Sequence, residues 1–237
     1  MRMTVMLIHS GGFTSRQWKK LAAQLAPRRV LAPDLIGYAE PWPDGVPFHF
    51  ERDVERLAGM LDDDPVDLVG HSYGGFLALQ LALCRPVRSI AVYEPVAFGV
   101  FDEESFAIEA FDRADPDRWL RGFVEWWNGP GAWEALGADT KQAFRAVGWK
   151  LSEEVRTLAA DRTGKRYAQI TAPTLLLGGG KSPLAEQRVI DELARILPAA
   201  TATRFPEMGH MGPITHAAIV NAAIIDFLSQ AELRGER

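Results

Sequence analysis

A serine with a glycine two residues to either side, Gly70-His71-Ser72-Tyr73-Gly74, joins a short apolar run at 66–69 to a stretch at 73–83 that is apolar nearly all the way round. The run before it suits a strand buried on both faces, and the stretch after it a helix packed centrally against a sheet. A turn this sharp holds its central residue in a strained backbone conformation, and the two glycines let the backbones pass without Cβ clashes. The serine hydroxyl is then presented above the carboxyl edge of a sheet, over the positive end of a helix. A bare G-x-S-x-G recurs by chance, so the strand before it and the helix after it carry the signal.

The rest of the chain supplies that sheet. Residues 4–8, 29–32, 89–93, 173–177 and 201–205 also read as strands. Helical spacing of apolar residues appears at 17–25 (Trp18, Leu21, Ala22, Leu25) and 51–61 (Val54, Leu57, Ala58, Leu61), and helices are also expected at about 184–197 and 216–233. Six strands alternating with helices imply an α/β fold, a parallel sheet with right-handed crossovers and helices on both faces.

One segment breaks the alternation. Between the strand ending at Tyr93 and the one starting near Thr174 no strand is expected, and the sequence is dense in Asp, Glu, Arg and aromatic residues. The expected organisation is a core domain of residues 1–97 and 170–237 interrupted by a helical cap at 98–169. Five of the seven tryptophans (Trp119, Trp126, Trp127, Trp133, Trp149) fall in this insert, with Phe101, Phe106, Phe111, Phe123 and Phe144. A small helical insert has little interior, so some of these rings should face a cavity shared with the sheet, and the others its own core.

Composition narrows the function. The net charge is −5 with no Lys/Arg-rich block, which argues against a nucleic-acid partner. No apolar run approaches the ~20 residues of a membrane-spanning helix, and the run 3–8 after Arg2 is too short for a signal segment, so no membrane association is expected. The single cysteine, Cys84, cannot form an internal disulfide, and a cytoplasmic, reducing compartment fits. No H-E-x-x-H or paired C-x-x-C spacing occurs, so neither a metal nor a cofactor is expected. Gly180-Lys181-Ser182 matches the end of a phosphate-binding loop, but Leu175 stands where its first glycine belongs and Pro183 removes a backbone donor.

A serine alcohol is a poor nucleophile at neutral pH without a base beside it. His210, in the Gly-flanked loop 206–213 after the last strand, comes from the same sheet edge as Ser72 and is the expected base. His71 should point away from the site, His9 belongs to another loop, and His49 and His216 read as surface or helix-start residues.

With Ser72 and His210 in these places the chain resembles the α/β-hydrolase superfamily, with a helical cap, over essentially its whole length. Leu7-Ile8-His9-Ser10-Gly11-Gly12 resembles the family's oxyanion loop, with Ser10 where glycine is usual, and 32–38 resembles the loop after the next strand. The two further strands that usually open the family fold are absent, which implies a sheet of about six strands. The resemblance implies an oxyanion hole formed by the N–H groups of Gly11 and Tyr73. The acid departs from the commonest pattern, because Ser182 occupies the slot where most relatives carry Asp. Some members, haloalkane dehalogenases among them, place the acid one strand earlier, which here is Glu94. Asp34 is a further carboxylate, in a loop that is structural in the family.

These residues imply a serine hydrolase, carboxylesterase-like, working on a small-molecule substrate through Ser72, His210 and Glu94 and an acyl-enzyme. Trp126 and Trp127 are the expected substrate-binding residues, and an aromatic cap suits an apolar substrate. Thioesters, lactones and the C–C bonds of diketones remain open, as does a non-catalytic ligand receptor on the same scaffold.

Overall fold

The computed structural model describes residues 3–43, 45–101 and 109–235; Phe106 lies outside them. Its strands are β1 (Thr4–Ile8), β2 (Arg29–Leu31), β3 (Asp67–His71), β4 (Ser89–Tyr93), β5 (Thr174–Gly179) and β6 (Ala200–Phe205). They form one six-stranded, all-parallel sheet in the order β2-β1-β3-β4-β5-β6. The helices are α1 (Lys19–Gln24), α2 (Phe50–Ala58), α3 (Tyr73–Cys84), α4 (Pro116–Asn128), α5 (Ala132–Ala135), α6 (Ala138–Ala160), α7 (Leu184–Ile196), α8 (Gly212–Thr215) and α9 (Ala217–Gly235). Element bounds differ from the sequence reading by a few residues, chiefly where a 3-10 turn (Ser15–Trp18) opens the first helix and α2 stops at Ala58.

The apolar runs become the buried strands. In β1, consecutive side chains go to opposite faces: Met6 and Ile8 pack with Phe76, Val54 and Val189 of α3, α2 and α7, while Val5 and Leu7 pack with Leu21, Ile224 and Leu228 of α1 and α9. α3 is buried on all sides from Tyr73 to Leu81, as its unbroken apolar sequence requires. The outermost strand β6 carries Thr201, Thr203 and Arg204 and is exposed along most of its length.

The strand order reverses at β1, whose neighbours are β2 on one side and β3 on the other. In open α/β sheets ligands bind at such a switch, outside the carboxyl ends of the strands. The loops that leave β1 at Ser10 and β3 at Ser72 flank it.

Between β4 and β5 the described chain is helical, with α4, α5 and α6 and 3-10 turns at Phe98–Val100 and Gly164–Gln169. Trp119, Leu120, Val124, Trp133, Phe144 and Leu151 form a separate cluster there. Phe101 packs instead with the main core. Among the described residues no helix is long and apolar enough to cross a membrane.

Candidate active site

The turn after β3 has the geometry its glycines permit. Ser72 sits at φ 55°, ψ −123°, a conformation that costs a non-glycine residue about 1–3 kcal/mol and persists only where the surroundings enforce it. Its N–H donates to the Tyr93 carbonyl at 2.9 Å. A Cβ on Gly74 would collide with the carbonyl oxygens of Ile8 and His9, and one on Gly70 with the Gly74 carbonyl. Both positions therefore require glycine because of close backbone approach.

Three loops at the carboxyl edge bring Ser72, His210 and Glu94 into one line. His210 Nε2 lies 3.0 Å from Ser72 Oγ, and His210 Nδ1 lies 2.7 Å from Glu94 Oε2. With the ring proton on Nδ1, donated to the carboxylate, Nε2 is free to accept from the serine hydroxyl. Glu94 follows β4 directly, itself at φ 44°. Its other oxygen accepts from the Gly179 N–H and the Ser182 hydroxyl, each at 2.6 Å. Ser182, in the slot where a carboxylate is the commoner expectation, thus donates to Glu94. Nearby in the first turn of α7, Glu186 is fully buried, and burial together with the charge of Glu94 holds its carboxyl well above the usual range. Asp34 stands apart, accepting the Ser15 N–H at 2.6 Å.

A second chain of hydrogen bonds, which the sequence does not announce, fixes the surrounding loops. Gln17 Oε1 accepts from the Ser10 N–H and Oγ, and its amide donates to His71 Nδ1 at 3.1 Å. His71 Nε2 then donates to the His210 carbonyl at 2.8 Å. Burial, then the neighbouring His210, keeps His71 well below the usual histidine range, so it is a neutral strut. His9 is also neutral: it accepts the Leu35 N–H at Nε2 and reaches the Ser10 carbonyl through Nδ1, and burial lowers its pKa to about 4. His49 and His216 are exposed.

A cavity of about 310 Å³ opens on Ser72, with Gly11 and Tyr73 in its wall. Tyr73 is the first residue of α3, whose leading N–H groups have no partner within the helix. The insert provides most of the remaining wall, including Phe123, Trp126 and Trp127. Trp127 stacks on His210 with ring centroids 3.5 Å apart, and Trp126 packs edge-on against Trp127. Trp133, by contrast, is buried in the insert's own cluster. Among the described residues no group of three His, Cys, Asp or Glu could hold a metal ion.

The insert also sends two charged residues inward. Lys150 of α6 donates to Asp53 of α2 at 2.9 Å and to Glu154, one turn on, at 2.6 Å. Tyr38 links Glu154 to the loop after β1: its hydroxyl donates to the carboxylate and accepts the Gly12 N–H at 2.9 Å. Burial raises the Glu154 pKa to about 7, against the lowering effect of Lys150. In the sequence this pair is an ordinary i,i+4 Lys/Glu spacing, which gives no sign of burial.

Residues 5–223 match the model of the alpha/beta hydrolase family. Lipase LipV of Mycobacterium tuberculosis is 38% identical over 97 residues, 38% of this chain, and the chain spans 36% of that curated relative's length. The 2-hydroxymuconate semialdehyde hydrolase of Pseudomonas sp. strain CF600 is 28% identical over 261 residues, covering 96% of this chain and 87% of that protein. The crystal structure of a hydrolase from Pseudomonas aeruginosa PA01 shares the fold, with a TM-score of 0.72, 23% identity, and coverage of 96% of this chain and 90% of the other. With the match running from β1 into α9, the chain belongs to the alpha/beta hydrolase family.

Proposed function

We propose that the protein is a serine hydrolase that cleaves small, largely apolar esters through Ser72, His210 and Glu94. The observation that carries this reading is the unbroken line from Ser72 Oγ through the His210 ring to Glu94, opening on a cavity walled mainly by aromatic and aliphatic side chains. His210 Nε2 takes the hydroxyl proton as Ser72 Oγ attacks the ester carbonyl. The N–H groups of Gly11 and Tyr73 bind the oxyanion, each such donor being worth roughly 2.7–4 kcal/mol of transition-state stabilisation. His210 returns the proton to the departing alkoxide, leaving an acyl-enzyme and a free alcohol. A water, deprotonated by His210, then releases the acid and restores Ser72. Glu94 holds the imidazole in the required tautomer and stabilises the imidazolium without taking its proton.

In this reading the insert at 98–169 is a lid, and Trp126 and Trp127 help choose the substrate. The similarity to a 2-hydroxymuconate semialdehyde hydrolase favours a second reading, cleavage of a C–C bond. A muconate-type substrate carries a carboxylate, however, and no Lys or Arg is among the described residues that line the cavity. The ester reading fits this wall better.

A fluorophosphonate probe tests the reading. It should label the protein at Ser72, and Ser72→Ala should abolish labelling together with hydrolysis of short p-nitrophenyl esters. An unlabelled protein would favour a ligand receptor on the same scaffold.

A further inference from the structure

Glu154 is only 1% exposed, yet it lines the cavity beside Ser72. Its Oε2 lies over Gly11, since a Cβ built on that glycine would stand 2.6 Å from it. This oxygen is therefore beside the residue whose N–H is expected to hold the oxyanion. Oε1 is committed, with Lys150 Nζ at 2.6 Å and the Tyr38 hydroxyl at 2.9 Å. Oε2 has only a share in that same hydroxyl, at 3.0 Å, and a phenol has one proton to give. A carboxylate has about four acceptor sites across its two oxygens, so Oε2 keeps unused capacity.

Lys150 cannot answer a substrate. Its ammonium is held by Asp53 and Glu154 and lies over the rings of Tyr38, Phe48, Tyr73 and Trp42 at 4.9–5.8 Å. With Glu154 ionised, above its pKa of about 7, one cation between two carboxylates leaves an excess negative charge at the cavity wall, which disfavours a carboxylate on the substrate. A substrate ammonium would be drawn by that charge but would also meet the Lys150 ammonium, which already sits 2.6 Å from the other oxygen of the same carboxylate. A neutral donor meets neither repulsion, and it satisfies an acceptor that a purely apolar acyl group would leave dry and unpaired.

Resting on the esterase reading above, we propose that Glu154 is a specificity-determining residue that accepts, at Oε2, a hydrogen bond from a hydroxyl carried within one or two carbons of the reacting carbonyl. The preferred substrates are then short hydroxyacyl esters rather than plain fatty-acyl ones.

The test compares ethyl 2-hydroxybutanoate with ethyl butanoate, ethyl 2-aminobutanoate and monoethyl succinate, hydrolysed in a pH-stat at pH 8, where Glu154 is ionised. The hydroxy ester should exceed the plain ester in kcat/KM by about tenfold, the scale of one hydrogen bond to a charged acceptor, and the amino and carboxylate esters should fall below the hydroxy ester. In E154M the hydroxy-to-plain ratio should collapse towards one, while E154Q, which keeps a carbonyl acceptor, should retain part of it. A wild-type ratio near one, an amino ester ahead of the hydroxy ester, or the same ratio in E154M would overturn the proposal. The wild-type ratio decides even if E154M does not fold. A second readout separates this inference from the esterase reading: in Ser72→Ala, tryptophan quenching should show tighter binding of the hydroxy ester than of the plain one. If no ester is turned over but that preference persists and is lost in Ser72→Ala/Glu154→Met, the esterase reading fails and Glu154 recognition stands. If esters are hydrolysed without the preference, only the present inference fails.

Discussion

The hydroxyl of Ser182 donates to Oε1 of Glu94 over 2.6 Å, so the loop after β5 supports a carboxylate that stands at the end of β4. The Glu94→Gln change keeps the shape but removes the charge that stabilises imidazolium, and kcat should fall by roughly 10⁴-fold, as when a triad carboxylate becomes an amide. Ser182→Ala removes one of two donors to Oε1 and should cost about ten- to a hundredfold, the range of a single hydrogen bond to a charged group. Steady-state kinetics on one short ester checks the ranking. The reverse order would move the acid away from Glu94.

Ser72→Ala should leave the melting temperature within a few degrees of wild type while abolishing ester hydrolysis. Retention of more than a tenth of the activity would sink the nucleophile assignment.

Trp126 is 47% exposed and lines the cavity, Trp127 lies on His210, and Trp133 is 1% exposed in the insert's own cluster. Trp126→Ala and Trp127→Ala should therefore change the ranking of acyl chain lengths in kcat/KM, because each opens space at the cavity wall. Trp133→Ala should instead cost about 3–5 kcal/mol of stability and lower all substrates alike. A chain-length series run beside thermal melts separates the two behaviours, and an unchanged ranking at both Trp126 and Trp127 would make them packing residues.

His9 is neutral in the fold with a pKa of about 4, against 6.5 for the unperturbed side chain. Between these values the unfolded chain binds the proton and the folded one does not, so His9 contributes a loss of stability as pH falls from about 6.5 towards 4. The contribution amounts to about 3 kcal/mol at pH 4. Glu154, raised to about 7, works in the opposite direction between pH 4.5 and 7, so the test must isolate His9. Urea unfolding of wild type and His9→Asn at pH 7 and pH 4.5 should show the difference between them shrinking at the lower pH. A constant difference would exclude His9 as the source.

Gly74→Ala should prevent folding or lower the melting temperature severely, since its Cβ would meet the carbonyls of Ile8 and His9 and the end of β1 cannot retreat without breaking its pairing with β3. Soluble yield and thermal melting check this, and a normally melting variant would mean the turn is looser than described.

Much of this molecule was legible in one dimension because the information is local. Apolar runs bounded by turn residues identify the buried strands, the unbroken apolar stretch 73–83 identifies the central helix, and the glycines around Ser72 mark a turn that tolerates no Cβ. The same local signals separate His210, in a Gly-flanked loop after the last strand, from His49 and His216. Naming Glu94 took the missing carboxylate at Ser182 together with family resemblance, because nothing in Tyr93-Glu94-Pro95 distinguishes a buried acid from a surface one.

What the tertiary structure decided is where distant side chains meet. Gln17 bridges Ser10 and His71, Ser182 serves Glu94, and Trp127 rather than Trp133 faces the histidine. Lys150 and Glu154 look like a solvated helix pair in sequence, yet they are buried because α6 packs across Tyr38 and Asp53. Backbone preference and hydrophobic period act over a few residues, so sequence determined the strands, the central helix and the strained turn. Burial, charge pairing and the wall of a cavity depend on groups tens to more than a hundred positions apart, and only the folded chain brings those together.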